Sequence, residues 1–194
     1  MVEAAALFFV LFFFPGIPLS SPPEVITHSL LWRVPAFILI MLLMEKKPSF
    51  SVKRDLFTAV IAFAVLCSTG FLVSLAAAQT GFVPPEVPPP EGTLGWTAAI
   101  LLSLSTGCLE EAYFRYYLPE RIRSLKPGKT AYLVSALVFA LCHVYEGPWG
   151  FINALAAALA LSLVYIKTSS FPGIAGAHGL YNIFVFFSAA VKAA

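Results

Sequence analysis

Charged residues are scarce in this sequence. Asp, Glu, Lys and Arg make up 11% of its 194 residues and hydrophobic residues 59%, whereas soluble globular domains have about 25% and about 45–50%. A chain of this length cannot bury so much apolar surface in one water-soluble core. The composition therefore predicts an integral membrane protein with lipid as its main partner. The net charge of +2 is small, and no aromatic and basic stripe is present, which excludes nucleic acid as a partner.

Several familiar motifs are also absent. The three cysteines, Cys67, Cys108 and Cys142, lack the CxxC spacing of zinc or redox sites, and we interpret them as small buried hydrophobes. Neither a Gly-x-Ser-x-Gly elbow nor an HExxH motif occurs. Glu3 stands where a signal peptide has Lys or Arg, so the N-terminus is interpreted as a retained first span.

Long apolar runs predict transmembrane helices, because a helix satisfies every backbone donor without water. We expect an all-α, polytopic transmembrane helix bundle of about seven spans, forming a single membrane domain over 1–194. The first span is the weakest, since Pro15 and Pro18 break its end. The predicted spans are Ala4 to Leu19, Val25 to Met44, Leu56 to Ala78, Leu94 to Tyr117, Thr130 to Tyr145, Trp149 to Ile166 and Gly173 to Val191.

Basic residues occur only in every second loop. The loops at 45–54 and 118–129 carry four Lys or Arg each, and Lys167 follows the sixth span, whereas the intervening loops carry none. The positive-inside rule then predicts a cytoplasmic N-terminus and an external C-terminus. A proline-rich external loop at 80–93 separates accessory N-terminal spans at 1–79 from a four-helix core at 94–191.

Three charges interrupt the fourth predicted span, where an unpaired charge costs about 2.5–3.5 kcal/mol. Glu111 and Arg115 are four residues apart with the acid first, so we expect them to pair. Glu110 then lies on a neighbouring face and is free for another role. In the second span, His28 and Arg33 are interpreted as interfacial or snorkelling side chains.

Two more spans carry polar residues at a similar depth. Phe139 and His143 share a face of the fifth span, and His178 and Asn182 share a face of the seventh. At ~1.5 Å per residue from the basic side, Glu110 lies about 16 Å deep, His143 about 20 Å, and His178 and Asn182 about 9 and 15 Å. A single intramembrane His or Asn often only links two helices. Convergence from three helices instead predicts a functional site.

These side chains suit the hydrolysis of a carbonyl compound. Glu110 and His143 can jointly deprotonate a water molecule as it attacks a carbonyl carbon. His178 and Asn182 can donate to the developing oxyanion, which contributes about 3 kcal/mol per donor where bulk water is excluded.

Three motifs carry a resemblance to a known family. EEAYFR at 110–115, FALCH at 139–143 and HGLYN at 178–182 resemble the EExxxR, FxxxH and HxxxN motifs of the CAAX prenyl protease and bacteriocin-processing family, also called CPBP or Abi. The resemblance covers about residues 94–190, with the motifs in the same order and at similar spacings.

The resemblance implies a glutamate-type intramembrane endopeptidase with its catalytic core at 94–191. Glu110 and His143 would activate water, and His178 and Asn182 would stabilise the oxyanion. We expect no cofactor and no bound metal. Three further residues would support the site: Glu111, Arg115 and Phe139.

The family divides by substrate, so the resemblance implies only a class of reaction. Eukaryotic members cut prenylated CAAX proteins, and prokaryotic members are linked to bacteriocin maturation or immunity and to trimming of sorting signals. We expect a peptide or protein substrate, membrane-associated or lipidated, cut near its C-terminus or leader. The compact chain favours a multi-pass protein of the prokaryotic cytoplasmic membrane.

Three alternatives stay open at the level of sequence. Glu110, His143 and His178 could supply the ligands of a metal-dependent membrane protease, although HExxH is missing. Buried Glu and His could form the proton relay of a transporter, although no inverted repeat is evident. The chain could also be a non-catalytic bacteriocin-immunity or partner-binding protein.

Overall fold

A computed structural model describes residues 2–13, 21–83, 87–124 and 128–193. All regular elements in these ranges are helices, which confirms the predicted all-α membrane bundle. Some helices contain wider π-helical turns and are named as continuous units. They are α1 (Val2–Phe8, extended by a π-helical turn at Phe9–Phe13), α2 (Pro22–Leu43), α3 (Val52–Ala78), α4 (Gly92–Arg123), α5 (Thr130–Leu141), α6 (Gly147–Thr168) and α7 (Phe171–Ala193).

Five of the seven described helices are long and apolar enough to cross a membrane: α2, α3, α4, α6 and α7. The other two, α1 and α5, are shorter apolar helices. The 12 residues of α5 extend about 18 Å, whereas the hydrocarbon of a bilayer is about 30 Å thick. Pro15 and Pro18, which were predicted to end the first span, lie outside the described residues, as does the segment 84–86 of the proline-rich loop.

Large apolar side chains cover the outer surface of the helices. Leu31, Phe57, Phe71, Leu163 and Phe187 are all exposed by more than half of their area. Water would disfavour so many exposed apolar groups, whereas lipid solvates them. The chain is therefore an integral, multi-pass membrane protein.

The loops rich in Lys and Arg lie together at one end of the bundle. The Tyr116 hydroxyl, near the end of α4, donates to the Lys46 carbonyl before α3 at 2.9 Å. Ser170, which precedes α7, donates to Asp55 Oδ1 at the start of α3 at 2.6 Å. We call this the basic end, and the positive-inside rule predicts that it faces the cytoplasm.

Helices α4 and α7 cross in close contact at two glycines. A Cβ atom on Gly107 would lie 2.7 Å from the Gly179 backbone nitrogen and 2.9 Å from the Ala175 carbonyl oxygen. Real Cβ contacts are not that short, so only glycine allows this approach. The crossing lies within about one turn of the polar residues of both helices, and it sets the distance between them.

Candidate active site

Glu111 is the centre of a buried polar cluster. Its side chain is fully buried, with Oε2 3.1 Å from Arg115 Nε and Oε1 2.8 Å from His178 Nδ1. The contact with Arg115 is an ion pair without hydrogen-bond alignment. The predicted Glu111–Arg115 pair is thus confirmed. His178 is a third member of this cluster, which helical spacing within α4 could not indicate.

The helix widens directly after Glu111. Residues Ala112–Tyr117 form π-helical turns within α4, a rare geometry that occurs often at functional sites. Arg115 lies in this segment, buried, with its Cζ 4.5 Å from the centre of the Phe139 ring on α5. The Glu111 carboxylate and the face of this ring therefore contact the guanidinium and offset part of the cost of its burial.

Glu110 occupies a different environment from its neighbour. Its side chain is 15% exposed, and its Oε2 lies 3.7 Å from His178 Nε2. The imidazole of His178 is thus placed between two carboxylates, one at each ring nitrogen. Since Nδ1 bonds to Glu111, Nε2 is the atom that faces Glu110 and the accessible space beside it.

His143 lies just beyond the end of α5. The helix stops at Leu141, and a short 3₁₀ turn at Val144–Glu146 leads into α6. His143 Nδ1 is 2.9 Å from the Phe139 carbonyl oxygen. Since a carbonyl oxygen only accepts, Nδ1 carries the hydrogen and donates it, and Nε2 of the neutral ring is an acceptor. The His143 and Phe139 ring centroids are 4.5 Å apart. Within the described residues no hydrogen bond joins His143 to Glu110.

The short length of α5 determines the depth of His143. Counted from Thr130, His143 lies about 20 Å from the basic end, inside a hydrocarbon layer of about 30 Å. Irregular backbone at such a depth occurs where it lines a wet cavity or is covered by protein. The backbone at the turn Cys142–His143 must therefore be covered by protein or solvated by water at this depth.

Asn182 lies one turn beyond His178 on α7. Its side chain is half-buried, and in the described part of the chain its carboxamide has no hydrogen-bond partner.

Phe139 lies between the two histidines, since its ring centroid is 6.5 Å from that of His178 and 4.5 Å from that of His143. Contacts link Glu110, His178, Glu111 and Arg115 in that order, and Phe139 lies beside both Arg115 and His143. Asn182 has no described contact with these residues and is placed only by its position on α7.

A family comparison covers this region. Residues 92–184 match the model of the Rce1-like family, described as type II CAAX prenyl endopeptidase Rce1-like. The match covers 93 of the 194 residues and shows that this region is similar to the Rce1-like family. The family is one of proteases, and it supports a CAAX-type endopeptidase that acts within the membrane. No curated protein and no solved structure has significant similarity to the chain.

The Rce1-like region begins at α4 and includes all the residues described above, but one residue outside it also contacts α4 near Glu110. Arg33, on α2, donates from Nη1 to Thr106 Oγ1 at 2.9 Å. Thr106 is one turn before Glu110 on α4, and Arg33 lies within electrostatic range of Glu110 and Tyr145. The interpretation of Arg33 as a snorkelling side chain is therefore wrong. The signal available in the sequence was that the predicted span, Val25 to Met44, contains Arg33 but no acidic residue.

The described residues contain no group of three or more His, Cys, Asp or Glu side chains arranged to hold a metal ion. Glu110 and His178 approach each other within the Rce1-like region, but His143 points to the Phe139 carbonyl.

Proposed function

We propose that the protein hydrolyses a peptide bond near the C-terminus or leader of a membrane-associated or lipidated protein, using a water molecule activated by Glu110 and His143. The main support for this proposal is the different burial of Glu110 and Glu111. Of two adjacent glutamates, Glu111 is fully buried in an ion pair, whereas Glu110 is partly exposed and faces His178 Nε2 at 3.7 Å. A general base must be accessible to water and lie beside the reacting group, and the partial exposure of Glu110 next to His178 supports this role.

The proposed reaction starts with the transfer of a proton from water to the Glu110 carboxylate. The oxygen then attacks the peptide carbonyl carbon, and His143 Nε2 orients the water during the attack. Negative charge develops on the carbonyl oxygen, where His178 Nε2 and the Asn182 carboxamide can donate. Glu110 returns the proton to the leaving nitrogen, the C–N bond breaks, and an amine and a carboxylic acid are released. The acid then loses its remaining proton to solvent water.

The other residues of the cluster support this chemistry by position. Glu111 holds the His178 ring by its Nδ1–H, and Arg115 compensates the Glu111 charge. His178 donates from both ring nitrogens only when it is protonated, with Nδ1–H on Glu111 and Nε2–H left for the oxyanion. The two glutamates then offset two of the three cations, Arg33, Arg115 and His178, and paired charges cost far less in a membrane than unpaired ones.

Cleavage of a peptide library by purified protein in detergent tests the proposal. Wild type should cleave at least one membrane-associated or lipidated peptide. Glu110→Gln and His143→Ala should each lower the rate by about 100-fold or more, the usual contribution of a general base, without a change in melting temperature. Glu91→Gln, on the exposed residue before α4, is the matched control and should keep full activity.

The alternatives give different results in the same assay. A metal-dependent protease would lose activity with a chelator, whereas the proposed mechanism resists it. A non-catalytic protein would cleave nothing. Full activity of Glu110→Gln would refute the assignment of the base.

A further inference from the structure

A cavity of about 610 Å³ lies at the basic end, away from the Glu–His cluster. Its walls come from the loop before α3, the ends of α4 and α6, and the start of α5. Its charged lining residues are Lys46, Lys47, Arg123, Lys129 and Glu120. Four cations and one acid give this cavity a charge of +3.

The cations of the cavity are mostly uncompensated. Lys47 Nζ donates to the carbonyl oxygens of Met41 and Leu42 at the end of α2, so its position is fixed. Within the described ranges, Lys46 and Lys129 have no ion-pair partner. An excess of positive charge in a recess of the surface attracts an anion and discourages basic ligands.

Three tyrosines form a second part of the wall. The ring centroid of Tyr165 lies 6.1 Å from that of Tyr116 and 6.2 Å from that of Tyr132. Arg123 Cζ is 5.3 Å from the Tyr132 ring centre, which holds the guanidinium beside the cavity. The hydroxyls of Tyr132 and Tyr165 donate to no other described residue. They are free to donate to a ligand, as tyrosines at membrane interfaces do.

Exposed apolar side chains are close in sequence to the lining residues. Phe50 and Val52, one and three residues after the lining residue Ser49, are 80% and 76% exposed. Leu133, next to Tyr132, is 56% exposed. A ligand that combines an anionic group with long apolar chains would use both surfaces, whereas a free inorganic anion would use only the cavity.

We propose that this cavity binds the headgroup of an anionic phospholipid from the leaflet at the basic end. Arg123 and Lys129 pair with the phosphate, since guanidinium and ammonium groups recognise phosphate oxygens well. The acyl chains lie along Phe50, Val52 and the adjacent face of α3. Tyr116 lies in the π-helical segment that also holds Arg115, so a bound lipid stabilises the part of α4 that supports the active site.

Lipid binding can be measured on the full chain in uncharged detergent containing phosphatidylglycerol or phosphatidylcholine. The readouts are the melting temperature and the number of lipids retained in native mass spectrometry. Phosphatidylglycerol should raise the melting temperature of wild type, and phosphatidylcholine should not. Arg123→Gln and Lys129→Gln should each weaken phosphatidylglycerol binding by about tenfold, the usual effect of losing one charge-assisted contact.

Lys53→Gln is the matched control, because Lys53 is an exposed lysine at the same end that does not line the cavity. It should bind phosphatidylglycerol like wild type. Arg123 and Lys129 are also exposed, so their variants should fold, and melting without lipid verifies this. Equal weakening in all three variants, or equal stabilisation by phosphatidylcholine, would overturn the site. Equal stabilisation by inorganic phosphate would overturn the lipid as its ligand.

Discussion

Two adjacent glutamates of α4 differ in what surrounds them. Glu111 is fully buried between Arg115 and His178, whereas Glu110 is partly exposed beside the same histidine. The difference follows from helix geometry, since consecutive residues point about 100° apart. Glu111 is thus suited to holding other groups in place, and Glu110 to reacting with water.

Glu111→Gln should destabilise the protein strongly. It leaves the buried Arg115 without its counter-ion, and breaking a buried pair in this way costs about 3–5 kcal/mol. Unfolding by denaturant in detergent should show this loss. Glu110→Gln, on a partly exposed side chain, should change stability much less.

A double variant separates charge from packing. Replacing both members of the pair, in Glu111→Gln with Arg115→Met, removes the uncompensated charge and should recover part of the lost stability. If the double variant is as unstable as the sum of the two single variants, the pair does not act as a unit.

Arg33 illustrates a residue whose partner belongs to another element. Its guanidinium bonds to Thr106 of α4 and lies near Glu110. The acid in α2, Glu24, lies nine residues before Arg33, which is not the spacing of a helical ion pair, so spacing along the chain cannot name the partner of Arg33. The contact also links α2 to the Rce1-like region, because α2 lies outside the residues matched by the family.

At the scale of elements, the crossing of α4 and α7 controls the site. Gly107 and Gly179 allow the two helices to approach so closely that Glu110 and Glu111 reach His178. Helix interfaces in membranes commonly use small residues for such approaches.

Gly107→Ala should therefore impair both activity and stability. Its Cβ would lie 2.7 Å from the Gly179 nitrogen, a backbone atom that cannot rotate away, so the helices must separate. Cleavage rate and melting temperature should both fall clearly below those of wild type.

Gly176→Ala, on α7, is the control for this substitution. No atom lies within 4 Å of a Cβ placed there, and alanine favours a helix more than glycine by about 1 kcal/mol. Its activity should be unchanged and its stability equal or slightly higher. Equal loss in the Gly107 and Gly176 variants would show that helix separation is not the cause.

At the scale of the whole molecule, the loops with an excess of Lys and Arg meet at one end of the bundle. The contacts Tyr116–Lys46 and Ser170–Asp55 join loops that are far apart in the chain. Charge counting had placed these loops on one side of the membrane independently of any contact. The orientation of that end towards the cytoplasm stays a prediction.

Cysteine labelling can measure this orientation. In a variant with Ser at the native cysteines 67, 108 and 142, single cysteines replace the exposed residues Lys129 and Val83. A membrane-impermeant reagent added to intact cells should label Val83→Cys and should label Lys129→Cys only after permeabilisation. Labelling of both in intact cells would contradict the predicted topology.

The sequence by itself determined the membrane class, the helices and one ion pair. Hydropathy is a local property, so each predicted span was found as a helix, with boundaries shifted by a few residues where described. The shortness of α5 was not foreseen, because the apolar run continues past Leu141 to Tyr145 while the helix stops before His143. The Glu111–Arg115 pair was foreseen because both partners are on one helix.

Only the tertiary structure decided which groups meet across helices. The bond from His178 to Glu111, the ring of Phe139 over Arg115 and the approach of Arg33 to α4 each join separate elements. Depth estimates placed these residues in one layer, but rotation of each helix about its axis determines which atoms touch. That rotation depends on close packing, such as the crossing at Gly107 and Gly179, which hydropathy and spacing do not contain.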